Sequence, residues 1–337
     1  MENTNKKLLE VNNLKTYFYQ EDGIVKAVDD ISFHIDKGET IGIVGESGCG
    51  KSITSLSVLR LVPRNKGKIA GGTIKYYIDG ENPIDITALD PRGTEVRKIR
   101  GKEIAMIFQE PMTSLHPVFT VGNQIIEVVR LQLGMTKKEA RERAIEMLRL
   151  VGIASPEQRV DNYPHELSGG MRQRVMIAMA LSCDPNLLIA DEPTTALDVT
   201  IEAQILDLMQ DLQNRIGMAI MFITHDLQVI GEMSDRVNVM YAGKIVETGT
   251  IDDIYHNSKH PYTQGLLKSI PQIGEKKRLV PIKGTVPNTV DLPSSCYFAP
   301  RCEFAMEICH KKEPPDFKVG SEQIAKCWLH KSREEVS

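Results

Sequence analysis

Thr40-Ile41-Gly42-Ile43-Val44-Gly45-Glu46-Ser47-Gly48-Cys49-Gly50-Lys51-Ser52 is an apolar run that breaks into a glycine-rich loop and ends on a lysine and a serine. Residues 45–52 satisfy G-x-x-x-x-G-K-[ST]. Residues 53–59, Ile-Thr-Ser-Leu-Ser-Val-Leu, can start a helix. The motif requires that order of strand, loop and helix, because glycines let backbone N–H groups turn inward around an anion while the helix N-terminus adds its positive dipole end. A glycine-rich turn without chemical meaning would not need the lysine, the serine and both flanking elements. Gly45, Glu46, Ser47, Gly48, Cys49, Gly50, Lys51, Ser52 and Ile53 are therefore expected to cradle nucleotide phosphates. Lys51 should reach the β- and γ-phosphates, and the Ser52 hydroxyl should bind Mg²⁺. Cys49 reads as a small filler rather than a nucleophile. On its own the motif leaves kinases, GTPases and motors open.

Two further runs, Leu187–Ala190 and Ala219–Thr224, are apolar on both pleat faces, as is Thr40–Val44. Strands buried in a parallel sheet read this way. The first of the two ends in Asp191-Glu192. Neighbouring strand residues face opposite sides, so the two acids can take different roles: Asp191 in the Mg²⁺ shell, Glu192 as the base that polarises a water. Alone, such a pair is equally well a solvated turn; its place after the phosphate loop and before Pro193-Thr194-Thr195-Ala196-Leu197-Asp198 gives it weight. His225 closes the other run, where a lone histidine is more often structural; its position suggests a hydrogen bond near the γ-phosphate.

The 337 residues allow one α/β domain of about 250 residues and a smaller appendage. A hydrophobic share of 41% and a charged share of 26% are ordinary for a globular chain. A net charge of −4 offers no electrostatic case for nucleic acid. There is no run of about 18 apolar residues to span a bilayer. The N-terminus, MENTNKKLLEV, lacks the apolar core of a signal peptide, so a cytoplasmic protein is expected. The alternating stretch up to Ile35 suggests an antiparallel hairpin turning at Glu21-Asp22-Gly23. A helix-rich insert follows, with a capping box at Thr136 and Glu139, apolar residues Ala140, Ala144, Met147, Leu148 and Val151 at helical spacing, and Gly152 at the C-cap. Beyond Gly249 prolines become frequent and lysines cluster at Lys276 and Lys277. A boundary near residue 250 is expected, with 251–337 an extension of little regular structure.

Residues 167–174, Leu-Ser-Gly-Gly-Met-Arg-Gln-Arg, strongly resemble the signature LSGGQ of ABC proteins, with Met171 in place of the final glutamine. Ser-Gly-Gly opening a helix makes a second anion site. In that family it caps ATP held on another subunit, which assigns Ser168, Gly169 and Gly170 to the nucleotide of a head-to-tail partner. Gln109 resembles the Q-loop glutamine, which contacts Mg²⁺ and the water. Asp198 resembles the D-loop aspartate, and His225 the histidine that fixes base and water. Tyr17 and Phe18 lie where the family sets an aromatic against adenine; Phe18 is the better placed by register, and core packing is the plain alternative for either. The resemblance implies an α/β fold: a RecA-like P-loop core with an antiparallel β-subdomain and a helical subdomain at about 112–180, within an ABC nucleotide-binding domain at 1–250.

The tail resembles ATPases of dipeptide and oligopeptide importers, a group that includes nickel importers, in His260-Pro261-Tyr262-Thr263-Gln264-Gly265-Leu266-Leu267, in Gly284-Thr285-Val286-Pro287 and in residues 292–302. Residues 110–117, Glu-Pro-Met-Thr-Ser-Leu-His-Pro, resemble the same group. The resemblance implies an ATPase at the cytoplasmic face of the membrane, paired with a second ABC ATPase, related or identical, beneath two permease subunits. An extracytoplasmic binding protein would deliver peptide. A soluble ABC ATPase acting on DNA, an exporter ATPase and an importer ATPase for nickel or another substrate are the competing readings; the acidic charge and the compact helical insert count against the first, and the tail against the second. Four of the six cysteines, Cys296, Cys302, Cys309 and Cys327, follow C-x5-C-x6-C-x17-C. Zinc knuckles are shorter. The resemblance points to a 4Fe-4S cluster on all four, with Tyr297, Phe298 and Trp328 as shields. Zinc, with His310 or His330 replacing a cysteine, is the alternative.

Overall fold

The computed structural model describes residues 7–78, 82–109, 114–195, 197–270, 281–287, 290 and 292–331. Residues 110–113, Ala196, Lys276 and Lys277, all drawn on above, lie outside the described residues. The chain opens with β1 (Lys7–Gln20) and β2 (Gly23–Asp36), joined antiparallel through the expected turn. Next come β3 (Thr40–Val44), α1 (Lys51–Val58), β4 (Gly67–Tyr76), β5 (Ile84–Asp85), α2 (Thr94–Ile99) and β6 (Ile104–Ile107). The insert contributes α3 (Val121–Leu133), α4 (Lys137–Leu150), α5 (Pro156–Arg159) and α6 (Gly169–Leu181). Then follow β7 (Leu187–Asp191), α7 (Val199–Ile216), β8 (Ala219–Thr224), α8 (Leu227–Met233), β9 (Arg236–Tyr241) and β10 (Lys244–Thr250). The C-terminal extension holds α9 (Ile251–Asn257), α10 (Pro261–Lys268), α11 (Glu307–Lys311), β11 (Phe317–Lys318) and β12 (Ile324–Ala325).

Two sheets organise these elements: an antiparallel one in the order β2-β1-β4-β5 and a mixed one in the order β11-β12-β10-β9-β3-β8-β7-β6. Strands β9, β3, β8, β7 and β6 run parallel, and β8 separates the strand of the phosphate loop from the strand of Asp191. The apolar runs of β3, β7 and β8 are explained by two cores. Ile41, Ile43, Leu187, Ile189, Met221 and Ile223 meet Leu9, Val11, Leu14, Ile31 and Ile74 of the antiparallel sheet. Val44, Leu188, Ala190, Ile220 and Phe222 join residues of α3, α4, α6 and α7 on the other side. Alternate residues of each strand thus enter different cores, and both must be apolar.

The capping box is formed: the Thr136 side chain accepts from the N–H of Glu139, and Gly152 takes φ +75 just past the end of α4. The extension departs from expectation, because it carries regular structure and does not stand apart. Thr250 ends β10 and caps α9 in a second capping box with Asp253. Pro261 occupies the first turn of α10, where a missing N–H costs nothing. Strand β12 pairs antiparallel with β10, Glu247 opposite Ala325, and so covers what would be a bare sheet edge. Tyr262, Tyr297 and Phe298 belong to the helical-side core. Proline frequency concealed this order, since the strands are only two residues long and show no period.

Candidate nucleotide site and the cysteine-bearing extension

The loop between β3 and α1 is shaped by close backbone approaches. A Cβ on Gly45 would lie 2.2 Å from the Met240 carbonyl oxygen, and one on Gly50, at φ +106, 2.2 Å from that of Ala27. Only glycine fits either place. Lys51, 5% exposed, folds back over its own loop and donates from Nζ to the carbonyls of Gly45 (2.8 Å) and Glu46 (3.4 Å). Ser52 Oγ donates to Asp191 Oδ1 at 3.1 Å. The thiol of Cys49 is buried and pushed up to about 11 by that burial, which keeps it protonated and unreactive.

Asp191 and Glu192 differ in setting more sharply than strand alternation alone requires. Asp191 is the last residue of β7, 3% exposed, and its carboxyl is pushed up to about 6 by burial, with the charge of Glu192 adding to the shift. Glu192 leaves the strand in the left-handed region, φ +47, while its N–H donates to the Ile223 carbonyl at 2.8 Å. A non-glycine residue there costs about 1–2 kcal/mol, a conformation that structures retain where it serves a site. The turn brings its carboxylate among several partners. Oε2 accepts from Gln109 Nε2 (3.0 Å) and Thr195 Oγ1 (3.0 Å). Oε1 lies 3.4 Å from His225 Nδ1 and 3.9 Å from Lys51 Nζ. His225 is 62% exposed in its side chain, so it is no core histidine. Lys51, Gln109, Glu192 and His225 therefore converge as expected. Thr195 joins them unforeseen, since a hydroxyl three residues after a candidate base is a weak signal in sequence.

Ser168 caps α6, its hydroxyl accepting from the N–H of Met171 at 3.3 Å. Ser168 and Gly169 are exposed, and a Cβ on Gly169 would meet open space. Among the described residues no hydrogen bond joins Ser168 to residues 45–52. Gly170 instead packs on Ile201, with its Cβ position 3.0 Å from Ile201 Cγ2, and Asp198 caps α7 by accepting from the Ile201 N–H at 3.0 Å. The signature and D-loop segments thus share a neighbour. Gln173, fully buried, donates to the Pro193 carbonyl and ties α6 to the turn that follows Glu192. Sequence reading missed it, since a glutamine in an apolar helix looks like an exposed position.

The two candidate aromatics separate cleanly. Tyr17 is committed: its hydroxyl donates to Asp29 Oδ1 at 2.6 Å, and Asp29 Oδ2 is held by Tyr297 Oη and by Lys244 Nζ, each at 3.1 Å. Phe18 is half-buried against Gly67, where an added Cβ would lie 2.7 Å from its ring.

Cys309 and Cys327 are buried, Cys296 and Cys302 half-buried, and all are free thiols. Burial raises the Cys296, Cys302 and Cys327 thiols, the first and last to about 11. Neighbouring cysteines add to each shift, and Cys327 feels the other three. The four sulfurs thus share one neighbourhood, yet among the described residues no group of three or more His, Cys, Asp or Glu side chains is drawn together to hold a metal ion. Two of the expected shields are engaged elsewhere: Tyr297 with Asp29, and Phe298 against Tyr241, Tyr262 and His260. His330 Nε2 faces the Lys259 carbonyl at 3.1 Å. Among the described residues no helix is long and apolar enough to cross a membrane.

The ABC transporter family matches residues 28–195, and the oligopeptide/dipeptide transporter C-terminal region matches residues 246–309. The chain is 55% identical to the oligopeptide transport ATP-binding protein AppD of Bacillus subtilis over 96% of this chain and 97% of that protein. It is 49% identical to the dipeptide transport ATP-binding protein DppD of Haemophilus influenzae over 95% and 94% of the two chains. Among solved structures, the dimeric post-hydrolysis state of the ATP-binding cassette MJ0796 bound to ADP and Pi is 28% identical, with a TM-score of 0.63 over 72% of this chain and 98% of that one.

Proposed function

Because this chain belongs to the ATP-binding subunits of oligopeptide and dipeptide ABC transporters, with the cassette fold and ATP hydrolysis that power peptide import, we propose that Glu192 is its catalytic base. Lys51, Gln109, Thr195 and His225 act around it. The observation that carries this is the meeting of all four on one carboxylate that a left-handed turn has brought off its strand.

ATP is held by the loop of residues 45–53, with Lys51 exchanging its two carbonyl partners for β- and γ-phosphate oxygens and Phe18 against the base. The residues present fit Mg²⁺: Ser52 Oγ and Asp191 Oδ1 lie 3.1 Å apart, and burial pushes the Asp191 carboxyl up, a cost that a bound cation would relieve. Ser52 and Asp191, with Gln109, would hold the ion, which supplies charge neutralisation on the β- and γ-phosphate oxygens. Glu192 takes a proton from the attacking water at its carboxylate. Gln109 and Thr195 hold that carboxylate in position, and His225 donates towards the γ-phosphate. Glu192→Gln keeps the shape and removes the base, so ATP binding should persist while turnover falls about 10²-fold or more. Unchanged turnover would remove Glu192 from the role.

The exposed Ser168 and Gly169, turned to their own helix rather than to residues 45–52, support a composite site in which a second ABC ATPase, identical or related, receives Ser168, Gly169, Gly170 and Asp198. Exposed Phe108, next to Gln109, and exposed Val118 and Phe119 further along the chain support docking of two permease subunits at the cytoplasmic face of the membrane. The extracytoplasmic binding protein acts through those permeases. The two relatives named above are both peptide-transport proteins, which does not favour the DNA-directed and exporter readings. Cys296, Cys302, Cys309 and Cys327 are assigned to a 4Fe-4S cluster. Among the described residues no three or more His, Cys, Asp or Glu side chains are drawn together for a metal ion; what supports the cluster over zinc is the wide spacing of the four cysteines in a tail like that of peptide-importer ATPases. Such a cluster would supply a covalent staple for the extension. Iron and sulfide against zinc, measured on protein purified without oxygen, decides between them.

A further inference from the structure

Glu46, the second residue of the phosphate loop, is held from outside the nucleotide-binding core. Its carboxylate receives a fork from Arg301: Nη1 donates to Oε2 at 2.6 Å and Nη2 to Oε1 at 3.0 Å. Its backbone N–H donates to Tyr262 Oη at 3.0 Å. Its carbonyl faces the other way, accepting from the N–H of Cys49 at 3.2 Å and from Lys51 Nζ at 3.4 Å. One side of this residue thus belongs to the loop and the other to the C-terminal extension. The guanidinium itself leaves little to chance. Its side chain is 4% exposed, Nε donates to the Lys283 carbonyl at 3.0 Å, and its plane lies beside the rings of Tyr241 and Phe298, at 5.7 and 6.0 Å. A fork so held recognises a carboxylate at a fixed place, which a lysine could not do.

We propose that Arg301 is a positioning residue for the phosphate loop. Acting through Glu46, and together with Tyr262, it holds residues 45–51 in the shape that accepts ATP and keeps the Glu46 carboxylate turned away from the phosphates. The physical need is plain. An anion nest works only while its N–H groups point inward, and a carboxylate released one residue into that loop would repel the triphosphate. Nucleotide affinity is thereby tied to the packing of the cysteine-bearing extension, since Arg301 directly precedes Cys302. This holds whatever the four thiols bind.

The test is an equilibrium titration of the purified full chain with a fluorescent ATP analogue, for Arg301→Ala, Arg301→Lys and each of these combined with Glu46→Gln. Arg301→Ala should weaken binding about tenfold, in the range of coupling found within such networks. Arg301→Lys, which keeps the charge and loses the fork, should fall between. Adding Glu46→Gln should restore part of the loss, because it neutralises the freed carboxylate; damage to packing alone would not be repaired from the loop. If Arg301→Ala yields no folded protein, the same comparison is made with Arg301→Lys and its Glu46→Gln partner. Wild-type affinity in the folded arginine variants, or a defect that Glu46→Gln leaves unchanged or deepens, overturns the proposal.

Discussion

Asp191 is buried at the end of β7, its carboxyl hydrogen-bonded by Ser52. Its carboxyl is 3% exposed and pushed from the ordinary 3.8 to about 6, first by burial and then by Glu192, against the hydrogen bond from Ser52 and the charge of Lys51. A folded-state pKa above the unfolded one means that the native protein binds the proton more tightly. Stability from this group is therefore present below about pH 4 and lost as pH rises through 6. Each pKa unit is worth about 1.4 kcal/mol, so the buried charge costs the nucleotide-free protein roughly 3 kcal/mol at pH 8 and about half that at pH 5. Asp191→Asn removes the charge and keeps an oxygen for Ser52. It should stabilise the nucleotide-free protein at pH 8 by up to that amount, with relaxation around the site lowering the gain to about 1–2 kcal/mol, or about 1–3 degrees in Tm. Thermal denaturation in the presence of a chelator, at pH 8 and pH 5, measures both values. The gain should shrink at the lower pH, and Mg-ATP should stabilise the wild type far more than the variant. A destabilised Asp191→Asn at pH 8, or a gain equal at both pH values, would refute the account of Asp191 as a buried charge awaiting a cation.

Replacing Ser168 by alanine should abolish most hydrolysis while the same chain still binds ATP, seen by comparing turnover with an equilibrium titration; lost binding would contradict the composite site. Tyr17→Phe should cost about 1.5 kcal/mol of stability, the low end for a hydrogen bond to a charged group since this one is part-buried, and leave ATP affinity alone, while Phe18→Ala should weaken ATP affinity with little change in Tm. The reverse pattern would exchange the roles of the two rings.

What could be read beforehand was whatever repeats or obeys a strict local rule. The strands β3, β7 and β8 announced two flanking cores because each carries apolar residues on both faces. The phosphate loop announced itself because Gly45 and Gly50 admit no side chain beside Met240 and Ala27. Contacts made at long sequence range left no such trace. Arg301 reaches Glu46 across 255 positions, and nothing in its neighbourhood marks it as different from the arginine of any loop. Gln173 and Thr195 take their meaning from Pro193 and Glu192, whose placement depends on a single left-handed residue. The strands of the extension were hidden for another reason: at two residues each, they are specified by the open edge of β10 rather than by their own pattern.

We propose that ATP hydrolysis, with Glu192 as its base, powers peptide import. The most direct measurement is peptide uptake into vesicles carrying this chain with its permeases and second ATPase, supplied with the peptide-binding protein. ATP should drive accumulation of short peptides with the wild-type chain and not with Glu192→Gln. Peptide accumulation that persists with Glu192→Gln, or wild-type vesicles that hydrolyse ATP without moving peptide, would contradict it.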